Sequence, residues 1–118
     1  MIKLLALDID GTILKKDYSL SQKVKKAIQS SVKAGVKVVL VTGRMYSATI
    51  FIAEELGLDT PIITYSGALV QTSEKIFFEK LIPDAVARKV VKELRAFDLQ
   101  VNLYMNATKM NYRLLMPD

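Results

Sequence analysis

The chain contains neither cysteine nor histidine. Without cysteine there is no disulfide framework and no thiolate to serve as nucleophile or metal ligand, which fits a reducing compartment. Without histidine the usual proton shuttle, the Ser-His-Asp triad and the commonest zinc ligand are all excluded. Any chemistry must rest on carboxylates, hydroxyls, lysines and arginines. No window approaches the roughly 20 apolar residues that a membrane-spanning helix needs. The apolar start from Met1 to Leu7 is too short for a signal-peptide core and is broken by Asp8. A cytoplasmic protein with no membrane role is expected. Glycine-rich dinucleotide and P-loop signatures are missing too, so no nucleotide cofactor is indicated.

What is present suffices for a packed core: 118 residues, 51% of them hydrophobic. Lysine and arginine number 17 against 12 acids, a net charge of +5. That balance favours anionic partners, phosphate esters or nucleic acid, although the basic residues are scattered as on an ordinary solvated surface.

Residues 2 to 9 form a leucine-rich run ending in acids and a glycine, which reads as a buried strand entering a turn. Ser19-Leu20-Ser21-Gln22 has the form of a capping box. Leu20, Val24, Ala27, Ile28 and Val32 then recur at helical spacing until Gly35. Val36 to Thr42 is dense in valine and bounded by glycines, the pattern of a strand buried on both faces. Residues 45 to 56 carry a second helical period, and Pro61 to Tyr65 a third strand. The β-α-β-α-β series predicts a parallel sheet covered by helices, with ligands bound beyond the carboxyl ends of the strands. From about Gln71 the character changes: a strand over Ile76 to Leu81, a helix over Pro83 to Phe97, a strand over Leu99 to Met105, and a hairpin partner over Met110 to Leu115.

Three strand ends carry candidate chemistry. Asp8-Ile9-Asp10-Gly11-Thr12 places two carboxylates two residues apart, on one face if the strand stays extended. Two carboxylates about 4 Å apart repel by roughly 4 kcal/mol at an effective dielectric near 20, so a cation or shared proton is required. Hard, oxygen-seeking Mg²⁺ suits them. An EF-hand loop is excluded, because the glycine comes too early and no glutamate closes the loop. Thr42-Gly43-Arg44 ends strand two with a hydroxyl, an uncrowded backbone N–H and a guanidinium, all donors for phosphate oxygens. Ser66-Gly67 ends strand three with similar donors. Each alone is also compatible with an ordinary turn; the convergence of three on one rim points to a phosphate and metal site.

Asp-x-Asp-Gly-Thr after a hydrophobic strand, followed some thirty residues later by a strand ending Thr-Gly-Arg, resembles the haloacid dehalogenase superfamily, most nearly its Cof-type sugar-phosphate phosphatases. The resemblance implies a three-layer Rossmann-like α/β core over residues 1–80, incomplete here, and the beginning of an α+β cap over 81–118. It implies Asp8 as the nucleophile that takes the phosphoryl group and Asp10 as the acid and then base. Asp8 and the Asp10 carbonyl would bind Mg²⁺. Gly11, Thr12, Thr42 and Gly43 would surround the phosphate, with Arg44 and the Ser66-Gly67 turn facing a small phosphorylated metabolite. Relatives usually carry asparagine where this chain has Ser66. The lysine and the later acidic motif that the family uses cannot be assigned: Lys109 falls in the cap, and Asp118 is the only acid after residue 98. The expectation is a portion of a protein about twice as long, nearly inactive alone, with strand one an open edge and association of copies through that edge or the cap.

Two rival readings are non-enzymatic. A phosphoaccepting receiver domain shares the length and the acidic pair, but needs an aspartate where strand three here ends Thr64-Tyr65-Ser66. A nucleic-acid-binding module would rest on the charge and on Tyr104, Tyr112 and Arg113; the metabolite phosphatase is the preferred reading.

Overall fold

The structure, a computed structural model, describes residues 2–97, 102–104 and 111–113. Its contacts divide the chain into two units, Met1–Glu79 and Lys80–Asp118.

In the first unit a single sheet runs in the order β1 (Leu4–Asp8), β2 (Lys37–Val41), β3 (Ile62–Thr64), β4 (Leu69–Gln71), β5 (Ile76–Glu79). The first three strands are parallel, as the alternating pattern predicts, and β4 and β5 extend the sheet antiparallel. Leu69–Gln71 is a strand that the sequence reading passed over. Three residues are too few to show a period, and its pairing with β3 through a tight turn supplies the order that the pattern lacks. Helix α1 (Gln22–Lys33) packs on β2, and α2 (Ile50–Leu56) packs on α1.

The caps follow local chemistry, with one correction. Ser21, not Ser19, caps α1: its Oγ accepts the Val24 N–H at 3.2 Å. Ser19 instead donates from both N and Oγ to the Asp17 carboxylate, at 3.0 and 2.6 Å. The second helical segment begins as a short 3₁₀ turn at Tyr46–Ala48 before α2 takes over. Ile9, Ile28, Val38, Leu40, Ile52, Leu56, Ile62 and Leu69 form the core. Burying a side chain of this size stabilises the fold by roughly 1.5–3 kcal/mol.

Two strands are less enclosed than their composition suggests. In β2 only Val38 and Leu40 are buried, while Val39 and Val41 are half-buried. β1 has β2 as its one neighbour among the described residues, so its residues alternate between exposed and half-buried, and Leu4 is 57% exposed. A strand paired on one side only leaves a row of backbone donors and acceptors open.

In the second unit α3 (Asp84–Leu94) starts after Pro83, whose carbonyl accepts the Val86 and Ala87 N–H groups, and Arg88 donates to Asp84 one turn away at 2.7 Å. A 3₁₀ turn at Arg95–Phe97 completes the expected helix. β6 (Asn102–Tyr104) and β7 (Asn111–Arg113) pair antiparallel as the expected hairpin. The remainder of the two predicted strands, 99–101, 105, 110 and 114–115, lies outside the described residues, as does Lys109.

Candidate phosphate and metal site

The register of the parallel strands sets the site. Asp8, last residue of β1, stands opposite Val41, last residue of β2. Thr42, the next residue, donates its N–H to Ile63 of β3 at 2.9 Å. The carboxyl ends of all three parallel strands are thereby brought level.

The chain does not stay extended through the acidic motif. Thr12, Ile13 and Leu14 all donate backbone N–H groups to the Ile9 carbonyl at 3.0–3.3 Å, and Gly11 turns the chain at φ +74°. Ile9 is thereby driven into the core while Asp8 and Asp10 stay exposed. The two acids therefore do not sit as alternate residues of one strand face, as the sequence pattern suggests; β1 ends at Asp8 and the tight turn re-aims Asp10.

Their partners differ. Asp8 Oδ2 accepts the Thr12 hydroxyl at 3.3 Å. Asp10 is gripped by Arg44 through two bonds, Nε to Oδ2 at 2.8 Å and Nη2 to Oδ1 at 2.6 Å. This two-point bond holds the Asp10 carboxyl below its ordinary pKa against the opposing effect of burial, and the charge of the guanidinium adds to the lowering. The cation demanded by the acidic pair is thus supplied on the Asp10 side by a residue 34 positions away. Asp17, bonded by Ser19, is also held low.

Motifs two and three are sewn together by backbone bonds. The Arg44 carbonyl accepts the Tyr65 N–H at 3.0 Å, and the Thr42 carbonyl accepts the Ser66 N–H at 3.1 Å. Tyr65, Ser66 and Gly67 take φ of 50°, 55° and 96° in succession, a tight left-handed turn in which only the glycine is at ease. Thr42 is buried, and its Oγ1 accepts the Arg44 N–H at 3.1 Å, which leaves its own hydroxyl hydrogen to donate. Gly43 brings its backbone close to Ser66: a Cβ there would lie 3.4 Å from Ser66 Oγ.

Hydrogen bonds join Asp8 to Thr12, Asp10 to Arg44, and Thr42 to Arg44 and Ser66, at the end of the sheet where Asp8 stands opposite Val41, and Gly11, Gly43 and Gly67 lie in the turns beside them. One nearby residue was not anticipated. The Tyr18 ring lies 5.8 Å from the Arg44 guanidinium carbon, and nothing in the local sequence announces that contact. For a metal, Asp8 and Asp10 offer the hard oxygen donors that Mg²⁺ prefers, and Mg²⁺ commonly retains water in its remaining positions. No cluster of three or more acids occurs among the described residues. No helix among them is long and apolar enough to cross a membrane.

Residues 5–114 match the haloacid dehalogenase-like hydrolase family. The chain belongs to that family. It is 39% identical to the stress response protein YhaX of Bacillus subtilis over 104 residues, covering 86% of this chain and 35% of that protein. It is 29% identical to the phosphatase YwpJ of the same organism, covering 83% and 32%. Among solved structures, a phosphatase of the haloalkanoate (HAD) superfamily from Bacteroides thetaiotaomicron superposes with a TM-score of 0.78 at 31% identity, covering 89% of this chain and 39% of that one. A haloacid dehalogenase-like hydrolase from B. subtilis also gives 0.78, at 27% identity and 87% and 36% coverage. The chain spans about a third of the length of the curated relatives named here.

Proposed function

We propose that this chain carries the nucleophile-bearing part of a Mg²⁺-dependent phosphatase acting on a small phosphorylated metabolite, in the Cof-type manner. The observation that carries the reading is the levelling of Asp8, Thr42 and the Ser66 turn on one rim by strand register and two cross-loop bonds.

An Asp8 oxygen attacks phosphorus as the ester P–O bond breaks, giving an acyl phosphate and an alcohol that takes its proton from Asp10. Asp10 then removes a proton from water, which attacks the acyl phosphate, releases inorganic phosphate and restores the Asp8 carboxylate. The Thr42 hydroxyl and the N–H groups of the Gly43 and Gly67 turns are the donors for the phosphoryl oxygens. When bound at Asp8 and the Asp10 carbonyl, Mg²⁺ would offset the negative charge that Asp8 and the phosphate bring together. Because Arg44 favours the charged form of Asp10, proton donation requires that this ion pair open as substrate arrives.

Asp8→Asn is the direct test, with an aryl phosphate for turnover and beryllium fluoride as the phosphoryl mimic, each with and without Mg²⁺. Mg²⁺-dependent binding of the mimic that disappears in Asp8→Asn is the expected result, with turnover weak because phosphoryl transfer depends on positioning and counter-charge that a longer chain would complete. Binding that survives the substitution would refute Asp8 as the nucleophile.

A further inference from the structure

Tyr18 sits on the loop that follows the nucleophile motif. That loop is held at both ends: Leu14 pairs with Leu20 across its base, Lys15 N–H donates to the Ser19 carbonyl at 3.0 Å, and Tyr18 N–H donates to the Lys15 carbonyl at 2.9 Å. Asp17 ties down Ser19 through two further bonds. Leu14 is buried, so the base of the loop is anchored in the core. At its tip Tyr18 takes φ 61°, a conformation that bulky L side chains rarely adopt. Tyr18 is 70% exposed to solvent.

The ring is not randomly placed. Its centroid lies 5.8 Å from the guanidinium carbon of Arg44, the residue that grips both carboxylate oxygens of Asp10. The group that would protonate the leaving alcohol is thus linked through one side chain to an exposed aromatic face. A strained backbone position maintained by surrounding bonds is commonly associated with a site. Here what the strain presents is a flat, apolar surface beside a cation, suited to a ring that carries a phosphate.

We propose that Tyr18 is a specificity-determining residue: its ring packs against the organic part of the substrate and favours phosphate monoesters with a flat or ring-shaped group next to the ester oxygen. This rests on the phosphatase reading, but makes a separate demand, since Tyr18 acts on the alcohol part and not on the phosphate. The phosphate itself is held by Thr42 and the glycine turns.

The test is binding of orthophosphate and of phenyl phosphate to the full chain in Mg²⁺, for wild type, Tyr18→Phe and Tyr18→Ala, with circular dichroism to show that each variant folds. Tyr18→Ala relieves a strained position less than glycine would and removes no core contact, so folding is expected to persist. The expected result is a five- to tenfold loss of phenyl phosphate affinity in Tyr18→Ala, no change for orthophosphate, and near wild-type binding of both in Tyr18→Phe. Equal loss for both ligands, or loss for neither, overturns the role of Tyr18 while leaving the phosphatase reading in place. Failure of wild type to bind either ligand overturns both.

Discussion

The Arg44–Asp10 pair permits a quantitative test of how the site is held together. The charges are separated by 2.6–2.8 Å, with side chains 23% and 47% exposed. At the dielectric of bulk water such a separation corresponds to about 1.5 kcal/mol. Salt screening and the cost of fixing two flexible side chains reduce this, while two-point geometry places it at the upper end for exposed pairs, about 1 kcal/mol. A double-mutant cycle of Arg44→Ala and Asp10→Ala, read from urea unfolding of the Met1–Glu79 unit, should give that coupling at pH 7. Its pH dependence has a defined sign. The bond from Arg44, and then its charge, lower the Asp10 pKa from the ordinary 3.8. A carboxyl depressed in the folded state stabilises it fully above the unfolded pKa and loses that contribution as pH falls through the folded value. The coupling should therefore be constant from pH 7 to about 4 and decline only below that. In Arg44→Ala the Asp10 carboxyl should titrate closer to its ordinary value by carbon NMR. Zero coupling at pH 7, or coupling that already declines between pH 7 and about 4, would refute the reasoning.

Truncating Ile9 to alanine removes a fully buried side chain at the turn between the two acids and should cost about 3 kcal/mol, measured as a fall in the urea midpoint at constant slope. Ser21→Ala removes the acceptor for the Val24 N–H and should cost about 1 kcal/mol by the same measurement, whereas Ser19→Ala should leave the α1 cap intact.

The sequence by itself determined the order β1-α1-β2-α2-β3 in the first unit and which residues stand at the ends of those three strands. Both are written locally: period in the helices, β-branched density in β2, and turn residues directly after each strand. The apolar run of β1 reads as buried while the expected open edge on that strand is what the described residues show, because burial of a strand depends on neighbours and a run such as Leu4–Leu7 is the same string at an edge or in the middle of a sheet. β4 was missed because three residues have no measurable period and gain their order from pairing with β3. The capping serine was displaced by two residues because Ser19 had a nearer competitor in Asp17.

Only the tertiary structure decided how the motifs meet. The pairing Asp8↔Val41, the bonds from Tyr65 and Ser66 to the Thr42–Arg44 turn, and the reach of Arg44 across 34 residues to Asp10 are relations between segments, and no local pattern encodes them. The same holds for Tyr18, one exposed aromatic among five tyrosines until the fold sets it over Arg44. Residue types and their spacing state which groups are available for chemistry; strand register and the bonds between loops fix which of them share a site, because hydrogen bonds and ion pairs act only over a few ångströms.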